Sequence, residues 1–244
     1  MILRDHPSPN HDSRPDGQGV DMLVLHYTGM TDAGSALARL TDPSAKVSAH
    51  YVIDEDGTIL RMVAEERRAW HAGRSFWRGA TNINARSIGI ELVNPGHAFG
   101  YRPFAEPQMA SLIALARDIL NRHAISARNV VGHADVAPDR RQDPGEFFDW
   151  ARLAASGVGL WPFHDQGAGS TAPAKESLTI IQGWLALFGY ALTINGQCDA
   201  ATIAALEAFQ RHFRPAQVRG IPDEESVRRL EGLVQQVCAT MPSK

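Results

Sequence analysis

"DMLVLHYTG", Asp21 to Gly29, holds a continuous apolar run, Met22 to Leu25, that stops at a histidine. Such a run suits a strand buried on both faces, as in a sheet covered by helices on either side. His26 falls where that strand presents a side chain at the edge of the sheet. Outward from it, "AHYVIDEDGTILRMV" (Ala49 to Val63) has two β-rich runs flanking Asp54-Glu55-Asp56-Gly57, the pattern of a hairpin. "SIGIELV" (Ser87 to Val93) predicts a third strand with Glu91 embedded among Ile88, Ile90, Leu92 and Val93. A helix follows, with Pro107 in its first turn and an apolar stripe of Met109, Leu112, Ile113, Ala116, Ile119 and Leu120. "RNVVGH" predicts a fourth strand that also ends on a histidine, His133, and "PGEFFDWARLAA" a further helix. The pattern is α/β: a mixed central sheet flanked by helices.

Composition shifts near Asp165. "DQGAGSTAPAK" carries small residues and proline without a large apolar side chain, which marks a linker. Three helical patterns follow. The first carries Leu178, Ile181, Leu185 and Phe188. The second starts at the N-cap candidate Asp199 and carries Ile203, Leu206, Phe209 and Phe213. The third starts near Asp223 and carries Val227, Leu230, Val234 and Val237. The expected organisation is therefore a first domain over 1–165, a linker over 166–175 and a small three-helix domain over 176–244.

The 244 residues are 44% hydrophobic and 21% charged, enough apolar content for a core. A net charge of −3 argues against a nucleic-acid protein, which shows a basic excess or stripe. No run of about 18 apolar residues predicts a membrane span. The start, "MILRDHPSPNHD", lacks the apolar stretch of a secretory signal, so the expected location is cytoplasmic, or periplasmic if a leader has been removed. Cys198 and Cys238 stand apart from any CxxC pair or histidine cluster and read as ordinary buried thiols.

"GHADVAPDRRQDPG" (Gly132 to Gly145) places His133 at the end of an apolar run and Asp143 ten positions later, across an irregular loop. If that loop arches back, two strand-end imidazoles and one carboxylate converge. Such a set binds zinc with a fourth position left for water or substrate. The ion would lower the pKa of that water to about 7 and polarise a carbonyl oxygen. The helical HExxH signature is absent. Glu91, a carboxylate inside an apolar strand, meets a desolvation cost that raises its pKa and suits it to take a proton near neutrality. Its other reading is an outward-facing or arginine-paired side chain.

"VLHYTG", "SAHYVIDEDGTI", "RRAWHAG", "SIGIELVN" and "GHADVAPDRRQDPG", in that order, resemble the zinc-dependent N-acetylmuramoyl-L-alanine amidases of the type 2 family, related to peptidoglycan recognition proteins. The resemblance covers about residues 20 to 150. It implies cleavage of the amide between the lactyl group of N-acetylmuramic acid and the L-alanine of the stem peptide. It implies His26, His133 and Asp143 as ligands of Zn2+, and Glu91 as general base or water-orienting residue. His71, Asn84 and Trp70 stand where family members line the substrate groove, although Trp70 could equally fill core and His71 satisfy a backbone carbonyl. The family often has a lysine two positions before the last ligand. Here Arg141 stands there, able to stabilise an oxyanion but not to donate a proton. The C-terminal segment, through "LALFGY", "NGQCDAATIAALEAFQ" and "HFRP", resembles the type 1 peptidoglycan-binding domain.

The implied partners are peptidoglycan fragments, the muropeptides, with no nucleic acid and a monomer assumed. Cell-wall recycling is the expected task. A non-catalytic muropeptide-recognition module of the same fold is the alternative. Receptors of that kind commonly lose a ligand, whereas all three candidates and Glu91 are present here. A structural zinc site would be closed by four ligands and rich in cysteine, and neither cysteine has suitable neighbours.

Overall fold

The computed structural model describes residues 2–162 and 171–239. The chain runs through β1 (Leu3–Asp5), β2 (His11–Ser13), β3 (Met22–Tyr27), α1 (Ala33–Thr41), β4 (Tyr51–Ile53), β5 (Ile59–Arg61) and β6 (Arg67–Ala69). It continues with α2 (Ile83–Arg86), β7 (Ser87–Leu92), α3 (Gly96–Phe99), α4 (Glu106–Arg122), β8 (Val130–Gly132), α5 (His133–Val136) and α6 (Trp150–Ala155). The last elements are α7 (Leu178–Phe188), α8 (Ala200–Phe213) and α9 (Glu224–Ala239). Six strands form a mixed sheet in the order β1-β5-β4-β7-β3-β8, and β2 pairs with β6 in a separate ribbon. Only β4–β5, the expected hairpin, is antiparallel within the large sheet. Its turn closes with the Gly57 amide donating to the Asp54 carbonyl at 2.9 Å, and Gly57 holds a positive φ of 85°.

The alternation within β3 explains why an unbroken apolar run was needed. Leu23 and Leu25 face α4, packing with Ile88, Ile90, Met109, Leu112 and Ile119. Met22 and Val24 face the other way, into a cluster with Val131, Leu185, Phe209 and Phe213. Each fully buried Leu, Ile or Phe contributes on the order of 1.5–3 kcal/mol, so both faces matter to stability. The second cluster joins the sheet to α7, α8 and α9. The two sequence segments thus share one continuous apolar core, which the sequence pattern did not disclose. Arg128 reinforces the join by donating to the carbonyls of Phe188 and Leu187.

The helix caps follow the sequence. Asp199 accepts from the Thr202 amide at 2.8 Å and Asp223 from the Ser226 amide at 2.9 Å. Several expectations are corrected. His133 does not end a strand but opens the helical turn α5. The helix in "PGEFFDWARLAA" begins only at Trp150, after a turn at Gly145 with φ 86°. Ile203 lies off the buried stripe of α8 and is 38% exposed. Cys198 and Cys238 are exposed free thiols, not buried ones. The first half of the expected linker, 166–170, and His164 lie outside the described residues.

Candidate metal centre and catalytic cavity

Register places the site. His26 on β3 stands opposite Glu91 on the parallel neighbour β7, and Leu25 stands opposite Gly132, the last residue of β8. His26, Glu91 and His133 therefore sit at the carboxyl ends of three adjacent parallel strands, where open α/β sheets form their crevices. The period of two puts His26 on the same sheet face as Met22 and Val24, and Glu91 on the same face as Ser87 and Gly89. That is the face covered by the C-terminal helices.

The loop from Ala134 to Gln142 does arch back, and the Ala134 amide donates to the Asp143 carbonyl at 2.9 Å. His26 Nδ1 lies 2.9 Å from His133 Nδ1, and Asp143 Oδ2 lies 3.0 Å from each of them. All three residues are buried. The outer partners fix which ring nitrogens carry hydrogen. The Ser87 hydroxyl donates to the Ile83 carbonyl at 2.7 Å, so its oxygen accepts from His71 Nε2 at 3.1 Å. His71 Nδ1 is then the acceptor for His26 Nε2–H at 3.0 Å. His133 Nε2–H donates to the Ala72 carbonyl at 3.1 Å. Both Nδ1 atoms are left as bare lone pairs beside a carboxylate oxygen, with no proton able to serve the triangle.

A cation resolves that arrangement. Tetrahedral zinc bonds of about 2.0–2.2 Å separate neighbouring ligand atoms by roughly 3.3 Å, close to the edges of this triangle. Protonation states agree. Burial, then the neighbouring His133, takes His26 down to about 4, so it is neutral at pH 7. Burial pushes the Asp143 carboxyl up, but His133 and His26 outweigh it and hold the group far below the usual carboxylate range. The bare Nδ1 atoms of His26 and His133 and the Asp143 carboxylate make a donor set suited to zinc, with a side left open to the cavity.

That cavity, of about 1020 Å³, is lined by His71, Glu91, His133, Arg141, Asp143 and Tyr27, among others, and by residues of α8. Glu91 is 9% exposed, and its Oε2 has no hydrogen-bond partner among the described residues. Burial, then the charge of Asp143, pushes its pKa well above the glutamate range, while Arg141 pulls it down. The Arg141 side chain is exposed and makes no hydrogen bond among the described residues.

The expected groove residues divide. His71 lines the cavity but is only 5% exposed, and both its ring nitrogens are engaged. It lies flat on β7 because position 89 is glycine; a Cβ there would run into the ring. Asn84 holds the backbone under it, its Oδ1 accepting from the amides of His71 at 3.1 Å and Ala72 at 2.8 Å. Trp70 is bound through its amide to Ser48 Oγ at 2.9 Å. Neither Asn84 nor Trp70 is a lining residue of the cavity. The sequence reading passed over Tyr27, whose hydroxyl meets His97 Nδ1 at 2.9 Å, and the His97–Glu146 pair at 3.1 Å. Only the position of Tyr27, next to the candidate ligand His26, signalled it.

A second polar cluster stands behind the turn α5, which carries the candidate ligand His133. Asp135, two residues after His133, accepts from the Gly132 amide at 2.7 Å and from the Tyr190 hydroxyl at 2.6 Å. His212 Nδ1 meets Oδ2, the oxygen that also accepts from Gly132, at 2.7 Å. Tyr190 and His212 belong to the C-terminal segment, so that segment grips the turn from which His133 projects. His212 is further fixed by stacking on Trp150 and Phe213, with ring centroids 3.6 and 3.8 Å away.

Comparison with known proteins places these features. The N-acetylmuramoyl-L-alanine amidase family model matches residues 16–146, and the peptidoglycan binding domain model (PG_binding_1) matches residues 175–230. The chain is 38% identical to the N-acetylmuramoyl-L-alanine amidase AmiD of Escherichia coli K12, over 89% of this chain and 83% of that protein. It is 36% identical to the 1,6-anhydro-N-acetylmuramyl-L-alanine amidase AmpD of the same organism, over 60% of this chain and 87% of that one. The structure of E. coli AmiD with anhydro-N-acetylmuramic acid-L-Ala-D-gamma-Glu-L-Lys superposes with a TM-score of 0.80 at 37% identity, covering 89% of each chain. That of AmpDh3 from Pseudomonas aeruginosa with an anhydromuramic pentapeptide gives 0.79 at 33% identity, covering 92% of this chain and 95% of that one. By the family match over more than half its length and by its kinship to AmiD, this chain belongs to the N-acetylmuramoyl-L-alanine amidase family.

Proposed function

We propose that this protein hydrolyses the amide joining the lactyl group of N-acetylmuramic or anhydro-N-acetylmuramic acid to the L-alanine of a peptidoglycan stem peptide, in the recycling of cell-wall fragments. The observation that carries this reading is the buried triangle of His26 Nδ1, His133 Nδ1 and Asp143 Oδ2, opening on a cavity that also holds Glu91, whose Oε2 has no hydrogen-bond partner among the described residues.

In this reading His26, His133 and Asp143 hold Zn2+. When bound, the ion supplies Lewis-acid polarisation and an acidified water. Glu91 orients the attacking water and takes its proton as hydroxide adds to the lactyl carbonyl carbon. Arg141 lines the cavity beside Asp143, its guanidinium without a hydrogen bond among the described residues, and stabilises the developing oxyanion by charge and N–H donation. Glu91 then returns the proton to the L-alanine nitrogen as the C–N bond breaks, so water is added across the amide and the stem peptide leaves as an amine. His71 acts through His26: it accepts from the far ring nitrogen and keeps the ligand tautomer. Asn84 fixes the backbone that carries His71, and Trp70, tied to Ser48 through its amide, stands beside His71 outside the cavity lining. The chain is organised as a catalytic unit over 1–165, a linker over 166–175 and a C-terminal unit over 176–244, with residues of both units in one apolar cluster.

Mass spectrometry of the protein incubated with defined muropeptides, with and without a chelator, tests this. Release of free stem peptide and N-acetylmuramic or anhydro-N-acetylmuramic acid by the zinc-loaded protein, abolished by the chelator, is expected. Binding without cleavage would leave the recognition-module reading.

A further inference from the structure

The catalytic cavity has a wall with no part in the chemistry above. Helix α8 turns Ala200, Ala201, Ile203, Ala204, Glu207 and Arg211 toward the space that holds Glu91 and Asp143. Positions 200, 204, 207 and 211 share one helix face, while Leu206, Phe209 and Phe213 anchor α8 in the shared core. The alanines keep this wall low, and Ile203 is exposed on it.

Arg211 is the cationic group of that wall, with Glu207 as its anionic neighbour. Its side chain is 11% exposed, yet its Nε is buried with no hydrogen-bond partner among the described residues. Its ion pair with Glu207, one turn earlier, spans 3.4 Å, long for a charge-assisted bond. A nearly buried guanidinium so weakly satisfied, at the edge of a ligand cavity, is matched by a planar anion that engages its fork of donors. The other arginines of the cavity's ligand loop differ. Arg140 donates to the carbonyls of Ala72 and Arg74, and Arg141 lies two residues from the ligand Asp143.

We propose that α8 of the C-terminal segment forms part of the substrate groove and that Arg211 binds a free carboxylate of the stem peptide. This rests on the amidase reading. A γ-linked glutamate directly after the L-alanine, as in the ligand of the AmiD structure, keeps its α-carboxylate free one residue beyond the scissile amide. That carboxylate is the anion assigned to Arg211. The segment matched to peptidoglycan binding thereby selects substrate inside the active site rather than tethering the enzyme to a distant wall site.

The test compares steady-state kinetics on two muropeptides that differ only in this group, free acid or carboxamide. The native protein is expected to favour the acid by about tenfold or more, the scale of one charge-assisted hydrogen bond, with the difference in KM. Arg211→Ala collapses the preference toward one, and Arg211→Lys keeps part of it. Arg211→Gln serves as the second neutral variant should the alanine form lose its melting transition. Equal handling of the two substrates by the native protein, or an undiminished preference in the neutral variants, overturns the assignment. Cleavage of neither substrate by the native zinc-loaded protein would instead strike the amidase reading itself.

Discussion

Glu91 sets activity against stability. Its folded pKa lies above the ordinary glutamate value because burial, and then Asp143, penalise its charge. The folded state therefore keeps the proton to higher pH than the unfolded state, and the residue destabilises the metal-free fold progressively as pH rises through that interval. Glu91→Gln should raise the thermal stability of the metal-free protein at neutral pH by about 1–2 kcal/mol, the scale of a buried unsatisfied polar group, with the gain vanishing below the ordinary glutamate range. The same change should lower kcat by about 10²–10⁴-fold. A melting curve unchanged by the substitution at pH 7 would contradict the buried, unpartnered carboxylate. For Arg141 the expected role is electrostatic: Arg141→Ala should cost about 10²-fold in kcat, and equal activity would remove it from the site. Arg141→Lys should add a basic limb to the pH–rate profile if an ammonium can take an acid role there. His71→Ala should weaken zinc binding about 10–100-fold, read by competition with a chromophoric chelator; an unchanged affinity would show that His26 needs no partner to hold its tautomer.

Elements carry these residues to one place by register. The β3–β7 pairing sets His26 opposite Glu91, and the β3–β8 pairing brings Gly132, and with it His133, to the same edge. This much was legible in the sequence, because an apolar run ending in a functional side chain marks both a buried strand and its exposed end. The turn α5 was not legible. Four residues are too few for periodicity to declare a helix, and its hold on Asp135 comes from residues 55 and 77 positions away. Tyr190→Phe removes the donor to Asp135 Oδ1 and should destabilise the protein by about 1–3 kcal/mol. It should also weaken metal binding, since the turn presents His133. Loss of stability with zinc affinity intact would separate the clamp from the ligand.

At the scale of the whole molecule, the sequence suggested two units joined by a linker, and the structure shows one shared core. Met22, Val24 and Val131 of the sheet pack in the same cluster as Leu185, Phe209 and Phe213. Sequence patterns report which face of an element is apolar but not which distant element covers it. For the same reason the expected stripe of α8 included Ile203, which the structure leaves exposed on the cavity. None of the described helices is long and apolar enough to cross a membrane. A chain ending at residue 165 would bare the lower face of the sheet together with Trp77 and Val136. It should melt well below the full chain or fail to fold, and a truncated form with the parent melting temperature would show that the two segments are energetically independent. In the proposed centre three side chains meet at one ion. An anomalous-scattering map from zinc-loaded crystals, recorded at the zinc absorption edge, tests it most directly. The predicted result is a single strong peak per chain, bonded at about 2.0–2.2 Å to His26 Nδ1, His133 Nδ1 and Asp143 Oδ2; no peak there, or a peak held by other residues, would contradict it.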